Sequence, residues 1–333
     1  MASSTRAAAY RLIQLAYLPW SVAGYLLMVT KAVFPARRTG ESGTALASLY
    51  TRYMQHQMGT RRDVVATRLM AALPNVSPVA LRVTSAAPML GHKLTGHVPR
   101  IYRFPYIGDA AVQHESAART SYIDVALDAV AGDIGQLVIL GAGNDTRCYR
   151  LPESGVRCFE VDAPTTQALK RRVLDAVGVN ASAVTFVSAN FLHEDWLERL
   201  IAAGFDPDTR SFFVWEGVTM YLDRNAVEST LQRIASLAAG TTVAFDYVSP
   251  ATINGESVLE RFTRAALAAA GEPMEFGMGG SYPARAEVAT FLAGCGLELD
   301  VHHLFGPEAP GHPPFAGFAT AVVPHRAHGR HRG

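Results

Sequence analysis

Charge of either sign in excess is nearly absent from this chain. Thirty Lys and Arg against 29 Asp and Glu leave a formal charge of +1 over 333 residues. A nucleic-acid groove needs a basic face, so nothing electrostatic points to such a partner. Cysteine is scarce too. Cys148, Cys158 and Cys295 are odd in number and share no C-x-x-C spacing, so they read as reduced core thiols of an intracellular, cytoplasmic protein rather than as a disulfide framework or a metal site. No segment repeats, and no spaced His/Asp/Glu set suggests a metal. No hydrophobic stretch near the N-terminus ends in a clear cleavage site. Apolar residues, by contrast, make up 49% of the chain. That is enough for a sizeable core in one large domain, or in one domain with a substantial attachment.

The attachment is expected at residues 1–110, as a helical extension. Leu12–Phe34 reads LIQLAYLPWSVAGYLLMVTKAVF; as one helix it would measure about 35 Å, enough to cross a bilayer. Gln14, Pro19, Ser21, Thr30 and Lys31 interrupt it, while Tyr17, Trp20 and Tyr25 suit an interfacial depth. Three readings stay open: a helix covering the catalytic domain or a dimer partner, an in-plane membrane anchor, and a true span. Further helices are expected over 45–57 and 61–73. Prolines at 74, 78, 88, 99 and 105 then predict an irregular wrapping segment before a helix at 113–131.

From residue 137 short apolar runs alternate with helical stretches, the pattern of a doubly wound α/β sheet. Strands are predicted at 137–140, 157–161, 184–187, 211–216 and 241–247, with helices near 163–177, 194–203 and 223–238. Residues 251–282 break the rhythm with an apolar helix (258–270) and the glycine-rich GEPMEFGMGGSYP, which reads as a cap inserted over the crevice. A helix at 285–295 and strands near 297–304 and 316–323 complete a domain of 111–324. The His- and Arg-rich tail, 325–333, reads as a disordered end.

The chemistry concentrates where LVIL meets GAGNDT. A fully buried strand stops at Gly141 and Gly143, which allow a tight turn and close backbone approach, and Asn144 and Asp145 would cap a short helix. A dinucleotide fingerprint needs a third glycine. Here that position is Thr146, and Asp145 puts negative charge where phosphates would lie. A cationic or zwitterionic ligand without phosphate fits better. Asp162 in FEVDAP follows the second strand at the spacing of a ribose-binding carboxylate, although it could also cap the next helix. Asn190 and Phe191 end the third strand and Glu216 the fourth, where open α/β sheets place ligands.

The stretches ARTSYID (118–124), LVILGAGNDTRCYRL (137–151), FEVDAP (159–164), EDW (194–196) and FVWEGVTMYL (213–222) together resemble the leucine carboxyl methyltransferase-like S-adenosylmethionine-dependent methyltransferases. The likeness runs from about Ala118 to Tyr247. It implies a seven-stranded Rossmann-like class I methyltransferase sheet with S-adenosyl-L-methionine as cofactor and a small-molecule acceptor. It also implies roles. Arg119 would pair with the methionine carboxylate, and Gly141, Ala142 and Gly143, with Asp145 beside them, would line the methionine part. Asp162 would bind the ribose, Asn190 and Phe191 the adenine, and Glu216 the amino group or adjacent backbone. Tyr221 would sit on the substrate side. Many relatives have Asp-Leu where this chain has Asn190-Phe191, a departure at the adenine contact. Of the chain's histidines, His193 precedes two acids and reads as a helix start, while His302 and His303 lie on a late strand. With no general base in evidence, a carboxylate acceptor, held by Tyr221 and an arginine such as Arg52 or Arg147, is favoured over the hydroxyl of a lipid or polyketide-like substrate. A methyltransferase fold kept only as a cofactor-binding partner protein is the non-catalytic alternative.

Overall fold

Leu137–Leu140 has no polar position, and in the computed structural model all five residues of β1 (Gln136–Leu140) are buried, as a strand with neighbours on both sides requires. The structure describes residues 3–39, 45–108, 114–151, 155–191, 194–255 and 273–325, together with 261, 264 and 268. The expected helix at 258–270, the end of the tail and His193 lie largely or wholly outside them.

The sheet comprises β1, β2 (Arg157–Asp162), β3 (Val184–Ser188), β4 (Ser211–Trp215), β5 (Thr242–Val248), β6 (Glu298–Phe305) and β7 (Ala316–Val322). The order is β3-β2-β1-β4-β5-β7-β6, parallel except for β7, which runs antiparallel between β5 and β6. This is the doubly wound α/β sheet expected of a class I methyltransferase. Strand order reverses between β1 and β4, which opens a crevice at their carboxyl ends.

Helices α1 (Ser3–Ala16), α2 (Leu18–Thr39), α3 (Ala45–Gln57), α4 (Val64–Ala72) and α5 (Pro78–Thr95) form the N-terminal extension. Then α6 (Glu115–Val130) precedes β1, and α7 (Pro164–Ala176), α8 (Trp196–Ala202) and α9 (Arg224–Ala235) connect the parallel strands. Beyond β5 follow α10 (Pro250–Asn254) and α11 (Ala284–Gly294). One core layer, with Trp196, Trp215 and Phe245, lies on one sheet face; Ile123, Leu127, Ile139 and Val214 fill the other. A third cluster joins Leu49, Leu69 and Met70 of the extension to Val173 and Leu174 of α7, so the extension shares its core with the sheet domain.

Three expectations change. The proline-rich stretch after residue 74 is irregular only in part: Pro78 opens α5 behind the capping Ser77 and Pro88 sits buried inside the helix, whereas the described residues after Gly96, with Pro99 and Pro105, hold only the 3-10 turn Arg100–Tyr102. Proline is welcome in a first helical turn, whereas one in the interior removes a ladder hydrogen bond and crowds the carbonyl four residues back, a cost that the packing around buried Pro88 must offset. The run from Leu12 to Phe34 is not one helix, since it divides at Tyr17, two residues before Pro19. Among the described residues no helix is long and apolar enough to cross a membrane. Finally, β1 is followed by a single 3-10 turn, Arg147–Tyr149, with no side-chain cap.

Candidate active site

The glycine turn after β1 is built for shape. Gly141 has φ +66 and Gly143 φ +41, a region that disfavours side chains. A Cβ on Gly141 would stand 2.5 Å from Val218 Cγ2. The glycine is therefore demanded by the neighbouring loop after β4 as well as by any ligand. Asp162, at the end of β2, reaches across this turn: Gly143 N–H donates to its Oδ2 at 2.6 Å and Ala163 N–H to its Oδ1 at 2.7 Å. Burial raises the Asp162 carboxyl above its ordinary range, partly offset by those two N–H groups.

Asp145 caps no α-helix. It turns inward, accepts Arg147 N–H at 2.7 Å, and receives the guanidinium groups of Arg147 at 2.5 Å and Arg52 at 3.0 Å. Glu216, just past β4, accepts from the same two arginines at 2.6 and 2.9 Å, and from Ser48 at 2.9 Å and Thr120 at 2.8 Å. Arg119 Nε lies 3.5 Å from it. Arg147 also donates to Asp124, which Arg61 and Arg150 bracket from its other side. Burial opposes ionisation of Asp145 and Glu216, but Arg147 and Arg52 outweigh it and hold both carboxyls low, Glu216 far below its ordinary range. Arg52 and Arg147 are 1% and 0% exposed. Their charge is consumed inside this network, so neither is presented to a substrate carboxylate, and that expectation is corrected.

Arg119 is differently placed. On α6, it bridges Glu115 at 2.8 Å, one helical turn earlier, and Asp246 at 3.2 Å, and donates to Ser48 at 3.1 Å. Asp246 in turn accepts Gly217 N–H at 2.6 Å, tying the ends of β4 and β5 together. Burial pushes the Glu115 carboxyl up to about 7 despite Arg119, and raises Asp246 as well. At both carboxyls Arg119 offsets the effect of burial only in part.

The adenine candidates lie at the next strand end: Ala189 N–H donates to Asp162 O at 2.9 Å, which holds Asn190 beside it. Asn190 is exposed, its N–H bonded to Glu194 at 2.8 Å, and Phe191 leans on Trp196. Tyr221 ends a 3-10 turn after β4 and packs with Tyr106, Met220, Met274 and Phe305 in an apolar cluster. Above it, Glu275 N–H donates to Met220 O at 2.8 Å and Met278 N–H to Val248 O at 3.1 Å, so the described part of the glycine-rich segment crosses the ends of β4 and β5. His302 donates to or accepts from Tyr247 Oη at 2.6 Å and stacks on its ring. Burial, and after it Arg285, lowers that imidazole to about 4. His303 stacks on Phe318.

Arg119, Gly141, Ala142, Gly143, Asp145, Asp162 and Glu216 thus meet at one crevice, with Asn190 and Phe191 at its β3 end and Tyr221 at its β4–β5 end. Sequence reasoning missed Glu115, Asp124, Asp246 and Ser48. Asp246 carried a signal, an acid inside the otherwise apolar strand TVAFDYV, all of it buried. Among the described residues no group of His, Cys, Asp and Glu could hold a metal ion.

Residues 106–235 match the family model described as leucine carboxyl methyltransferase. A Streptomyces coelicolor protein, named provisionally as an S-adenosyl-L-methionine-dependent methyltransferase, is 34% identical over 198 residues, 58% of this chain and 66% of that protein. A Mycobacterium protein (strain KMS) of the same provisional name is 36% identical over 156 residues, 46% of this chain and 51% of that one. The chain therefore spans about half to two thirds of the length of these curated relatives. Among solved structures, a DUF574 family protein from Streptomyces avermitilis aligns with 86% of this chain and all of its own at 14% identity and TM-score 0.49. The fold assignment rests on strand order and direction, and by its motifs and these matches the chain belongs to the leucine carboxyl methyltransferase-like family of S-adenosylmethionine-dependent methyltransferases.

Proposed function

We propose that this chain methylates an oxygen of a small-molecule acceptor, with S-adenosyl-L-methionine as donor and a carboxylate as the accepting group. One observation carries the reading: the crevice at the strand switch is walled by carboxylates, three of which, Asp162, Glu115 and Asp246, burial holds above their ordinary range. Phosphates would be repelled there. A phosphate-free ligand bearing positive charge would relieve the wall, because a cation within a few ångströms favours the ionised carboxyl. The residues present fit S-adenosylmethionine, which when bound supplies an electrophilic methyl group.

The chain's own part is to bind, orient and exclude water. Asp162 keeps acceptor capacity for ribose hydroxyls, since a carboxylate has about four lone-pair sites and the backbone uses two. Arg119 is the cation for the methionine carboxylate on this reading, and would take it by exchanging its contact with Glu115, the partly exposed one of its acidic partners. Glu216 serves the amino-acid end by fixing the adjacent backbone and Arg119, its own oxygens being occupied by Ser48, Thr120, Arg52 and Arg147. Gly141, Ala142 and Gly143, backed by Asp145, form the floor, and Asn190 and Phe191 flank the adenine. Tyr221, with the apolar cluster around it, orients an organic acid whose carboxylate is ionised at neutral pH. Such an acceptor needs no base, and alignment at about 3 Å with desolvation supplies the rate. The neutral composition supports no nucleic-acid partner, and the unpaired cysteines fit a cytoplasmic setting.

A second reading has its own support. Glu115, its carboxyl pushed by burial to about 7 and its Oε1 on Arg119, would be the general base for a hydroxyl acceptor. The pH–rate profile of wild type and Glu115→Gln, measured on acids and alcohols with labelled cofactor, separates the two. A flat profile from about pH 6 to 9, retained by the variant, supports the carboxylate. A rate that needs a group near pH 7 to deprotonate, lost about a hundredfold in Glu115→Gln, replaces it with the hydroxyl.

A further inference from the structure

The N-terminal helices leave an unusual surface uncovered. Seventeen large hydrophobics are well exposed among the described residues, and nine of them lie between Leu12 and Leu27. Scattered exposed apolar residues are ordinary; a contiguous concentration marks a docking face. The cause is the way α2 is seated. Among the residues of α2 whose burial is described, 18–28, Gly24 is the buried one, and a Cβ there would meet Thr84 Oγ1 of α5 at 2.8 Å. With Ser21 and Met28 beside it half-buried, α2 touches α5 along a narrow stripe. Leu18, Trp20, Val22, Tyr25, Leu26 and Leu27 face outward, and Leu12 and Leu15 extend the patch along α1.

Charge decides what covers it. Residues 1–40 hold Arg6, Arg11, Lys31, Arg37 and Arg38 and no Asp or Glu, while the whole chain carries only +1, so everything beyond is net acidic. Arg6 and Arg11 are exposed on α1. A second copy of this face would set cations against cations. An anionic lipid headgroup layer offers the opposite sign, with acyl chains beneath for the leucines and an interfacial level suited to Tyr17, Trp20 and Tyr25.

We infer that the outer face of α1 and α2 is an in-plane docking surface for an anionic phospholipid membrane. It lies flat, with the apolar side chains entering the headgroup boundary and the arginines pairing with phosphates. The inference is independent of the methyl acceptor.

Trp20 gives a direct probe. It is 67% exposed, whereas Trp196 and Trp215 are 1% and 0% exposed, so a vesicle-induced blue shift of tryptophan emission reports Trp20. The full chain is titrated with phosphatidylcholine vesicles and with vesicles containing phosphatidylglycerol, at low and high salt, and sedimented with each. Expected are a blue shift and co-sedimentation with the anionic vesicles, weakened by salt, and little with phosphatidylcholine. Leu18→Ser with Leu26→Ser should cut partitioning by tenfold or more, on about tenfold per large side chain withdrawn from lipid. Arg6→Gln with Arg11→Gln should weaken the anionic preference alone. Melting temperatures near wild type show that these variants fold. No shift with either vesicle, equal binding to both, or a dimer in solution that Leu18→Ser/Leu26→Ser dissociates without any vesicle binding would each overturn the inference.

Discussion

Replacing Asp162 by Asn tests the turn and the cofactor site together, and the geometry makes Asn nearly as damaging as Ala. Each carboxylate oxygen faces a different backbone donor, Gly143 N–H at 2.6 Å and Ala163 N–H at 2.7 Å. Whichever way the amide is turned, its NH₂ meets one of those N–H groups. A buried donor left without a partner costs about 1–3 kcal/mol, and loss of charge from the surviving bond about 1 kcal/mol more. The stability loss is then roughly 2–4 kcal/mol, or a melting point lower by roughly 3–6 °C for a chain of this size. If ribose hydroxyls donate to the same carboxylate, S-adenosylhomocysteine affinity falls by a further 1.5–3 kcal/mol, roughly ten- to a hundredfold. Thermal unfolding with and without that ligand, together with calorimetric titration, reads both quantities. Wild-type melting in Asp162→Asn would refute the two-donor geometry. A lowered melting point with unchanged affinity would refute the ribose assignment and leave Asp162 a turn residue.

Arg119→Met should lower affinity for S-adenosylhomocysteine while leaving adenosine binding within about twofold, since only the first carries a carboxylate for the guanidinium; equal losses would place Arg119 elsewhere. Asp124→Asn should destabilise the chain by about 3–5 kcal/mol, because Arg147, Arg61 and Arg150 lose a fully buried counter-ion; denaturant unfolding measures it. In wild type, Glu216 and Asp145 are held below their unfolded range by Arg147 and Arg52, despite burial. Their contribution is therefore complete above the ordinary carboxylate range and is lost as pH falls through the folded values. Glu115, and Glu160 buried in β2 beside Lys170, are pushed by burial to about 7 and have the opposite sign: what they contribute is present below about 4.5 and is lost as pH rises through about 7. Unfolding free energies from pH 3 to 8 should show a loss on the acid side that Asp124→Asn and Glu216→Gln flatten. His302→Ala should keep kcat within about threefold, far from the loss of a general base; a hundredfold drop would make that imidazole catalytic.

The alternation of strands and helices from residue 137 onward was legible in the sequence, because a strand buried on both faces leaves no polar position and a connecting helix leaves a periodic one. Both signals are local, written within a dozen residues. So were the glycine turn and the carboxylates at the strand ends, which stand next to their strands in the chain. The tertiary structure decided what those carboxylates do. Arg52 and Glu216 are 164 positions apart, Ser48 and Glu216 168, and Arg119 and Asp246 127. No spacing rule joins such pairs, and a charged residue reads the same whether it waits for a ligand or is neutralised in the core. That is why Arg52 and Arg147 looked like substrate clamps yet proved to be a buried scaffold, and why Glu115 and Asp246 went unnoticed. The division at Tyr17 was equally beyond local reading: hydropathy alone gives a 23-residue run from Leu12 to Phe34, and only the packing of two helices against α5 shows that, from Leu12 to Met28, one side is covered and the other is not.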